Sequence, residues 1–236
     1  NNVSSTTKLL IAFNEYYKNL NDTEKNKIKF LYVSTDEVYG ELKKLEPSFT
    51  EKNLLQPSSP YSASKAASEM IALSYIKTFK LPILITRCSN NYGKYQYAEK
   101  FIPKIIYCLF QNKKIPVYGN GKNIRDWLHV NDHIDAIMFL LRGKKSNGIY
   151  NVGSKNELSN IEIIKKIISI MNSISDKKHK LEFNKSIEFV KDRLGHDKRY
   201  SINPSKIFLT GWRPKKNFDK EMVKTVKWYL KYYENR

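Results

Sequence analysis

The sequence predicts an α/β fold built around a parallel sheet, and three observations lead there. Short apolar runs at residues 28–33, 81–86, 115–118 and 148–152 read as strands. Longer segments with apolar residues at helical spacing alternate with them. Strand–helix–strand successions of this kind place neighbouring strands parallel, because the chain must cross back over the sheet.

The elements follow in order. Residues 6–20 carry Leu9, Leu10, Phe13, Tyr17 and Leu20 at helical spacing, and the polar stretch 21–27 closes that helix. The β-rich run 28–33 ends in Ser34, Thr35, Asp36 and Glu37. A Pro- and Ser-rich loop, 46–60, leads to a helix predicted over 61–80, with small residues Ala63, Ala66 and Ala67 on its early turns. A buried strand at 81–86 follows, then a helix over 99–111, a strand at 115–118, a helix over 131–142 and a strand at 148–152. Ser159 and Glu162 form a capping-box pair that opens an Ile-rich helix reaching about residue 171. The last helix is predicted over 219–233.

Composition narrows the function classes. Hydrophobic residues make up 41% of the 236 residues and aromatics 13%, enough for a core. No run approaches the roughly 20 apolar residues of a membrane span, and residues 1–8 lack the apolar stretch of a signal peptide. Cys88 and Cys108 sit in apolar surroundings without a CxxC pair or Cys/His cluster, so reduced buried thiols in a cytoplasmic protein are expected, and no metal site. The net charge of +19 comes mostly from Lys scattered among Asn and Ile. No Arg-rich helix or aromatic-basic RNA motif accompanies it, so no nucleic-acid partner is expected. A positive field would instead draw in an anionic small molecule.

Two motifs carry chemistry. Tyr61 and Lys65 lie four apart and share a helix face. A Lys ammonium beside a phenol lowers its pKa, which makes the Tyr a usable base. Standing alone, such a pair is more often an ordinary surface pair on a helix. The second motif, Ser34 to Glu37, follows a hydrophobic strand directly, where open α/β sheets bind their ligands. Two adjacent carboxylates there can divide acid and base work, although Ser, Thr and Asp also favour plain turns.

Together with Val38, Tyr39 and Gly40, these motifs resemble the extended short-chain dehydrogenases/reductases, and the Thr-Asp-Glu run is similar to the nucleotide-sugar 4,6-dehydratases among them. Further ordered matches run the length of the chain: Cys88 to Gly93, Glu99 and Lys100, Pro116 to Gly119, Ile124 to Trp127, Tyr150 to Gly153, and Asp192 to Asp197. The resemblance implies a partial Rossmann-like doubly wound parallel sheet with a small α/β substrate-binding lobe. Residues 1–90 and 123–153 would form the NAD-binding part, and residues 91–122 and 154–236 the lobe.

It also implies roles. Tyr61 would take the proton from the hydroxyl on sugar carbon four, with NAD as hydride carrier. Lys65 would hold the nicotinamide ribose and lower the Tyr61 pKa, and Thr35 would bond the same sugar hydroxyl. Glu37 would remove the proton on carbon five, and protonated Asp36 would release the carbon-six hydroxyl as water. Asn1 and Asn91 would contact the cofactor with Tyr61 and Lys65. Asn90, Lys100, Phe101, Pro116, Val117, Tyr118, Arg125, Asn160, Asp192, Arg193 and His196 would contact a nucleoside diphosphate sugar. Guanidinium forks such as Arg125 and Arg193 suit a diphosphate.

The family's association mode implies a homodimer in which two helices of each copy form a four-helix bundle. Departures are Ser5 where the family has Gly and Leu194 where it has Pro. No Gly-rich phosphate turn occurs, so that part of the fold is expected upstream of Asn1, leaving an exposed sheet edge and weak NAD binding in the chain as given. The competing readings are a 4-epimerase or decarboxylase of the same family, which the Asp36–Glu37 pair disfavours, and an inactive homologue that only binds or dimerises.

Overall fold

The computed structural model describes residues 1–143, 147–174 and 180–235. Helix α1 (Asn2–Lys18) and the short α2 (Asp22–Lys25) precede strand β1 (Phe30–Thr35) and a 3₁₀ turn, Asp36–Tyr39. Next come α3 (Pro60–Phe79), β2 (Ile83–Cys88), β3 (Asn90–Tyr92), α4 (Phe101–Phe110), β4 (Ile115–Tyr118) and β5 (Ile124–His129). Helix α5 (Val130–Arg142), β6 (Gly148–Val152), β7 (Glu157–Ser159), α6 (Asn160–Ile174), α7 (Phe183–Ser186), β8 (Ile187–Val190), α8 (Ser205–Leu209) and α9 (Phe218–Glu234) complete the chain.

The central sheet runs β1–β2–β6, all parallel, with Phe30 opposite Ile83 and Leu84 opposite Gly148. Parallelism follows from the crossovers: α3 joins β1 to β2 and packs on both. Helices α1 and α3 cover one face around Leu10, Ala72, Ile83 and Ile85. On the other face, Leu84, Val152, Ala136 and Leu140 meet Ile207 and Trp212, so α8 belongs with this sheet. Helices on both faces explain why these strands read as continuous apolar runs.

A second sheet pairs β3 with β5 in parallel and β5 with β7 antiparallel; β4 and β8 form a third, parallel pair. Around them α4, α6 and α9 enclose a separate core of Ile102, Ile106, Ile163, Ile164, Ile167, Met222 and Val226.

The sequence-based boundaries shift by a few residues. Helix α1 begins at Asn2 rather than 6, and strands β1 and β2 each run two residues later than expected. Strands β3, β5, β7 and β8 and the short helices α2, α7 and α8 were not anticipated. Three of those strands are only three or four residues long. Strand β5 buries Arg125 and Asp126 mid-strand, which breaks the alternation that marks a strand. Asp126 tolerates burial because Ser154 and Asn156 donate three bonds to it, at 3.0, 2.8 and 2.7 Å.

Candidate active site

The carboxyl end of β1 carries the first wall. Thr35 caps the 3₁₀ turn: its Oγ1 accepts the Glu37 N–H at 3.3 Å and donates to Asp36 Oδ1 at 3.2 Å. Gly40 ends the turn at φ +86°, where a Cβ would stand 2.2 Å from the Gln56 carbonyl oxygen, so only glycine fits. Asp36 is 3% exposed and its Oδ2 has no partner. Burial first, then the neighbouring Glu37 charge, raises its pKa to about 8. Burial also raises Glu37, with Arg125 and Lys100 opposing. At neutral pH Asp36 is therefore an acid, with the raised Glu37 carboxyl beside it.

The second wall is the start of α3. Ser59 and Ser62 form a reciprocal capping box and Pro60 occupies the first helical position, which needs no N–H donor. This fixes Tyr61 half-exposed at the helix entrance. Glu37, Tyr61, Asn90, Lys100, Phe101, Arg125, Arg193 and His196 line one cavity of about 640 Å³. Phe101, Arg193 and His196 also border a side chamber of about 220 Å³ lined by Pro116, Val117, Tyr118 and Asn160.

Lys65 turns towards the sheet: its Nζ donates to the Val33 carbonyl at 2.6 Å and lies over the Tyr32 ring, 4.4 Å from its centroid. Burial, then the Glu37 charge, pushes the Tyr61 phenol up to about 12. Arg125 likewise turns inward. Its guanidinium donates to the carbonyls of Ile124 at 2.7 Å and Asp197 at 2.8 Å and stacks 4.2 Å from the Tyr200 ring centroid. Its charge faces the carboxylates while its fork is largely spent on backbone.

The remaining wall is the segment 192–200. His196 Nδ1 bonds Asp192 Oδ1 at 2.6 Å. Burial lowers the His196 pKa, so that Nδ1 donates as a neutral imidazole, and the bond holds Asp192 ionised. Arg193 lies over Tyr118, 5.1 Å from its ring centroid. Gly119, at φ +57°, lets Asp192 approach where a Cβ would meet its Oδ2 at 2.6 Å. Asn91 sits deeper. Its Nδ2 donates to the Ser89 carbonyl at 3.0 Å and its Oδ1 faces His133 Nδ1 at 3.1 Å. Burial pushes His133 down to about 4, so it is neutral and donates. Asn1 lies exposed at the start of α1, without a side-chain capping bond.

Ser59, Gln96, Tyr97, Glu99, Trp127, Leu194, Gly195 and Tyr200 also line the main cavity. Glu99, Trp127, Leu194 and Gly195 fall within motifs already quoted, whereas only tertiary proximity reveals Ser59, Gln96, Tyr97 and Tyr200, the last standing three residues beyond the Asp192–Asp197 motif. Among the described residues no group of three or more His, Cys, Asp or Glu is placed to hold a metal ion, and no helix is long and apolar enough to cross a membrane.

A parallel sheet thus carries a Thr-Asp-Glu turn at the carboxyl end of β1, beside the helix that bears Tyr61 and Lys65. The family described as GDP-mannose 4,6 dehydratase matches residues 1–226, and the chain belongs to it. It is 43% identical over 232 residues to the dTDP-glucose 4,6-dehydratase of Haemophilus influenzae, covering 97% of this chain and 69% of the relative. A probable dTDP-glucose 4,6-dehydratase of Sinorhizobium fredii is 44% identical, covering 97% of this chain and 65% of the relative. The solved structure of dTDP-glucose 4,6-dehydratase from Bacillus anthracis in complex with NAD is 44% identical and superimposes with a TM-score of 0.84, covering 99% of this chain and 68% of that one. A UDP-glucuronic acid 4-epimerase from Bacillus cereus shares the fold at 27% identity, with a TM-score of 0.83, over 99% of this chain and 68% of its own.

Proposed function

We propose that the chain carries the catalytic part of a dehydratase that converts an NDP-glucose, dTDP-glucose as in its relatives, to the 4-keto-6-deoxy sugar nucleotide. The carrying observation is the Asp36–Glu37 pair: a buried carboxyl held protonated to about pH 8, next to a second carboxyl on the cavity wall. Elimination of water needs both an acid for the leaving hydroxyl and a base for the neighbouring carbon. Asp36 supplies the proton to the carbon-six hydroxyl and Glu37 takes the proton from carbon five. Tyr61 takes the proton from the carbon-four hydroxyl, which Thr35 also bonds. An epimerase has no use for the acidic pair.

The residues present fit a dinucleotide. Ser34 Oγ and Ser89 Oγ, just past or at the ends of β1 and β2, and Asn90 Oδ1 are buried without partners, which a ligand crossing the strand ends would satisfy. Tyr61, Lys65, Asn91 and Asn1 would hold the cofactor. NAD held there would supply the hydride exchange between carbon four and carbon six, so the reaction would have no net redox change. Lys100, Arg193 and Asn90 would bind the diphosphate and sugar, with Arg125 adding charge behind them. Phe101, Pro116, Val117, Tyr118 and Asn160 would take the base, with Asp192 and His196 bracing Arg193. The division into a cofactor part (1–90, 123–153) and a substrate lobe (91–122, 154–236) belongs to the same reading, with two crossings: α8 packs on the central sheet, and β5 pairs with β3 and β7.

The proposal extends to assembly. Helices α1 and α3 pack on each other and expose Leu9, Ile11, Tyr16, Met70 and Phe79. Such a face favours a homodimer through a four-helix bundle. A cytoplasmic enzyme with two reduced thiols fits Cys88 and Cys108, both free.

Incubation with dTDP-glucose and, separately, UDP-glucose tests the reaction. An alkali-absorbing 4-keto product with solvent deuterium at carbon five is expected. A simple 4-epimer would overturn the dehydratase reading.

A further inference from the structure

Beneath the site, four side chains from four elements form one buried polar chain. Arg87 of β2 is 2% exposed and Glu69 of α3 is fully buried. The Arg87 Nε donates to Glu69 Oε1 at 2.9 Å and Oε2 at 3.2 Å, and its NH2 group also contacts Oε1. Its other terminal nitrogen donates to the Tyr39 hydroxyl at 2.6 Å. That hydroxyl donates in turn to Asn151 Oδ1 of β6 at 2.7 Å. Asn151 also bonds Glu51 and the Phe49 carbonyl, in the loop leading into α3.

The placement of these residues is the informative part. Glu69 lies one helical turn beyond Lys65 and two beyond Tyr61, on the same face. Tyr39 lies two residues after Glu37, in the same 3₁₀ turn. Arg87 grips both. Its planar fork fixes direction as well as distance, which a Lys point charge does not. A buried ion pair is a poor source of stability compared with apolar packing, because both charges lose their hydration. Its most defensible yield is a unique arrangement.

We propose that Arg87, acting through Glu69 and Tyr39, is a positioning residue that sets the spacing between the Tyr61–Lys65 helix and the Asp36–Glu37 turn. It touches no reacting atom. The two walls must serve one sugar in succession: Tyr61 at carbon four, then Glu37 and Asp36 at carbons five and six. This inference rests on the dehydratase reading. Misplacement of a catalytic group by about 1 Å is worth on the order of 10²-fold in rate. Sliding the turn against the helix therefore slows turnover without emptying the substrate cavity.

The test is Tyr39→Phe, which keeps the ring stacked on Phe49 (centroids 4.9 Å apart) and removes only the hydroxyl joining Arg87 to Asn151. Arg87→Lys serves as a second variant that keeps the charge beside Glu69. For Tyr39→Phe, kcat with dTDP-glucose should fall about tenfold or more while KM changes less than about threefold. Solvent-deuterium exchange at carbon five should fall by the same factor as kcat, and amide exchange at residues 36–40 should quicken. The Tyr39→Phe/Arg87→Lys double variant should be no slower than the slower single one, because both interrupt one route. Wild-type kcat in Tyr39→Phe, or strictly additive losses, would overturn the proposal. So would a kcat loss matched by an equal loss of folded protein. A wild-type protein that makes no ketone would overturn the underlying dehydratase reading instead, a result distinct from each of these.

Discussion

The Lys65 ammonium and the Val33 carbonyl oxygen are 2.6 Å apart, so the cation that shares a helix face with Tyr61 is tied to β1. Lys65→Met should therefore act on ligand binding and turnover together rather than on the Tyr61 phenol alone. We expect turnover to fall by about 10²-fold or more, in the range for losing a positioned catalytic group. Dinucleotide affinity, followed by equilibrium dialysis, should fall alongside. Unchanged dinucleotide affinity would remove Lys65 from the cofactor site.

Tyr61 and Glu37 should separate in time. Tyr61→Phe should abolish both the ketone product and exchange at carbon five. Glu37→Gln should permit oxidation and stall elimination, so a reduced-nicotinamide absorbance accumulates while exchange at carbon five is lost. Turnover should drop by about 10²–10⁴-fold in either case. Near-wild-type turnover in Glu37→Gln would leave that carboxylate with no more than a turn-ordering role.

Asp36 gives a pH signature with a definite sign. Its folded pKa, about 8, lies above the unfolded carboxylate value. The folded state then binds more protons than the unfolded state between about pH 4 and 8, so this group's contribution to stability is largest at low pH and is lost as pH rises towards 8. Asp36→Asn cannot ionise. Relative to wild type, its Tm should rise progressively over that interval, by at least about 2–4 °C per kcal/mol relieved, and level off above it. Calorimetry across pH 5–9 checks this, and parallel Tm curves would contradict a protonated Asp36. Wild-type turnover should decline above about pH 8 as the acid is lost.

Arg193 is exposed and lies over Tyr118 at the junction of the two chambers. Arg193→Ala should raise KM for dTDP-glucose by about 10–100-fold, with a smaller effect on kcat, as expected for binding shared by ground and transition states. Steady-state kinetics at several salt concentrations should show weaker salt dependence in the variant.

Assembly is open to the same kind of test. Leu9 is 60% exposed on α1 and Met70 49% exposed on α3. The Leu9→Glu/Met70→Glu double variant should shift the protein from dimer to monomer by light scattering at micromolar concentration, leaving far-ultraviolet circular dichroism unchanged. A monomeric wild type would dispose of the helix-bundle dimer.

Much of the fold was legible because it rests on apolar runs and helical periodicity. Strands β1, β2, β4 and β6 were readable for that reason. What sequence missed was polar or short: β3 has three residues, and β5 hides buried Arg125 and Asp126 whose partners come from elsewhere in the chain. At the site, Asp36, Glu37 and Tyr61 were legible because motif spacing places them. The direction of Lys65 was not, because helical spacing puts it beside Tyr61 whereas the Val33 carbonyl draws it to the strand. Tyr200 was missed because its role lies in the stack on Arg125, some 75 positions upstream.

The cavity walls come from segments as distant as Glu37 and Tyr200. No contiguous piece of chain can preform such a chamber, so its appearance waits on the longest-range closures in the molecule. Ligand affinity thus becomes a sensitive reporter of complete tertiary structure. The segment from Asp192 to Tyr200 is held mainly by polar contacts: Asp197 to Ser58 and to Tyr200, and His196 to Asp192. Its exposed first part, Asp192 to Gly195, can therefore open at a free energy below that of global unfolding, whereas Asp197 to Tyr200 is anchored by backbone bonds to Ile124 and by Arg199 to Glu157. Amide exchange in that first part should respond to nucleotide-sugar analogues while the amides of β2 stay protected. Traffic in and out of the chamber is then set by the loosest wall rather than by the sheet that carries the chemistry.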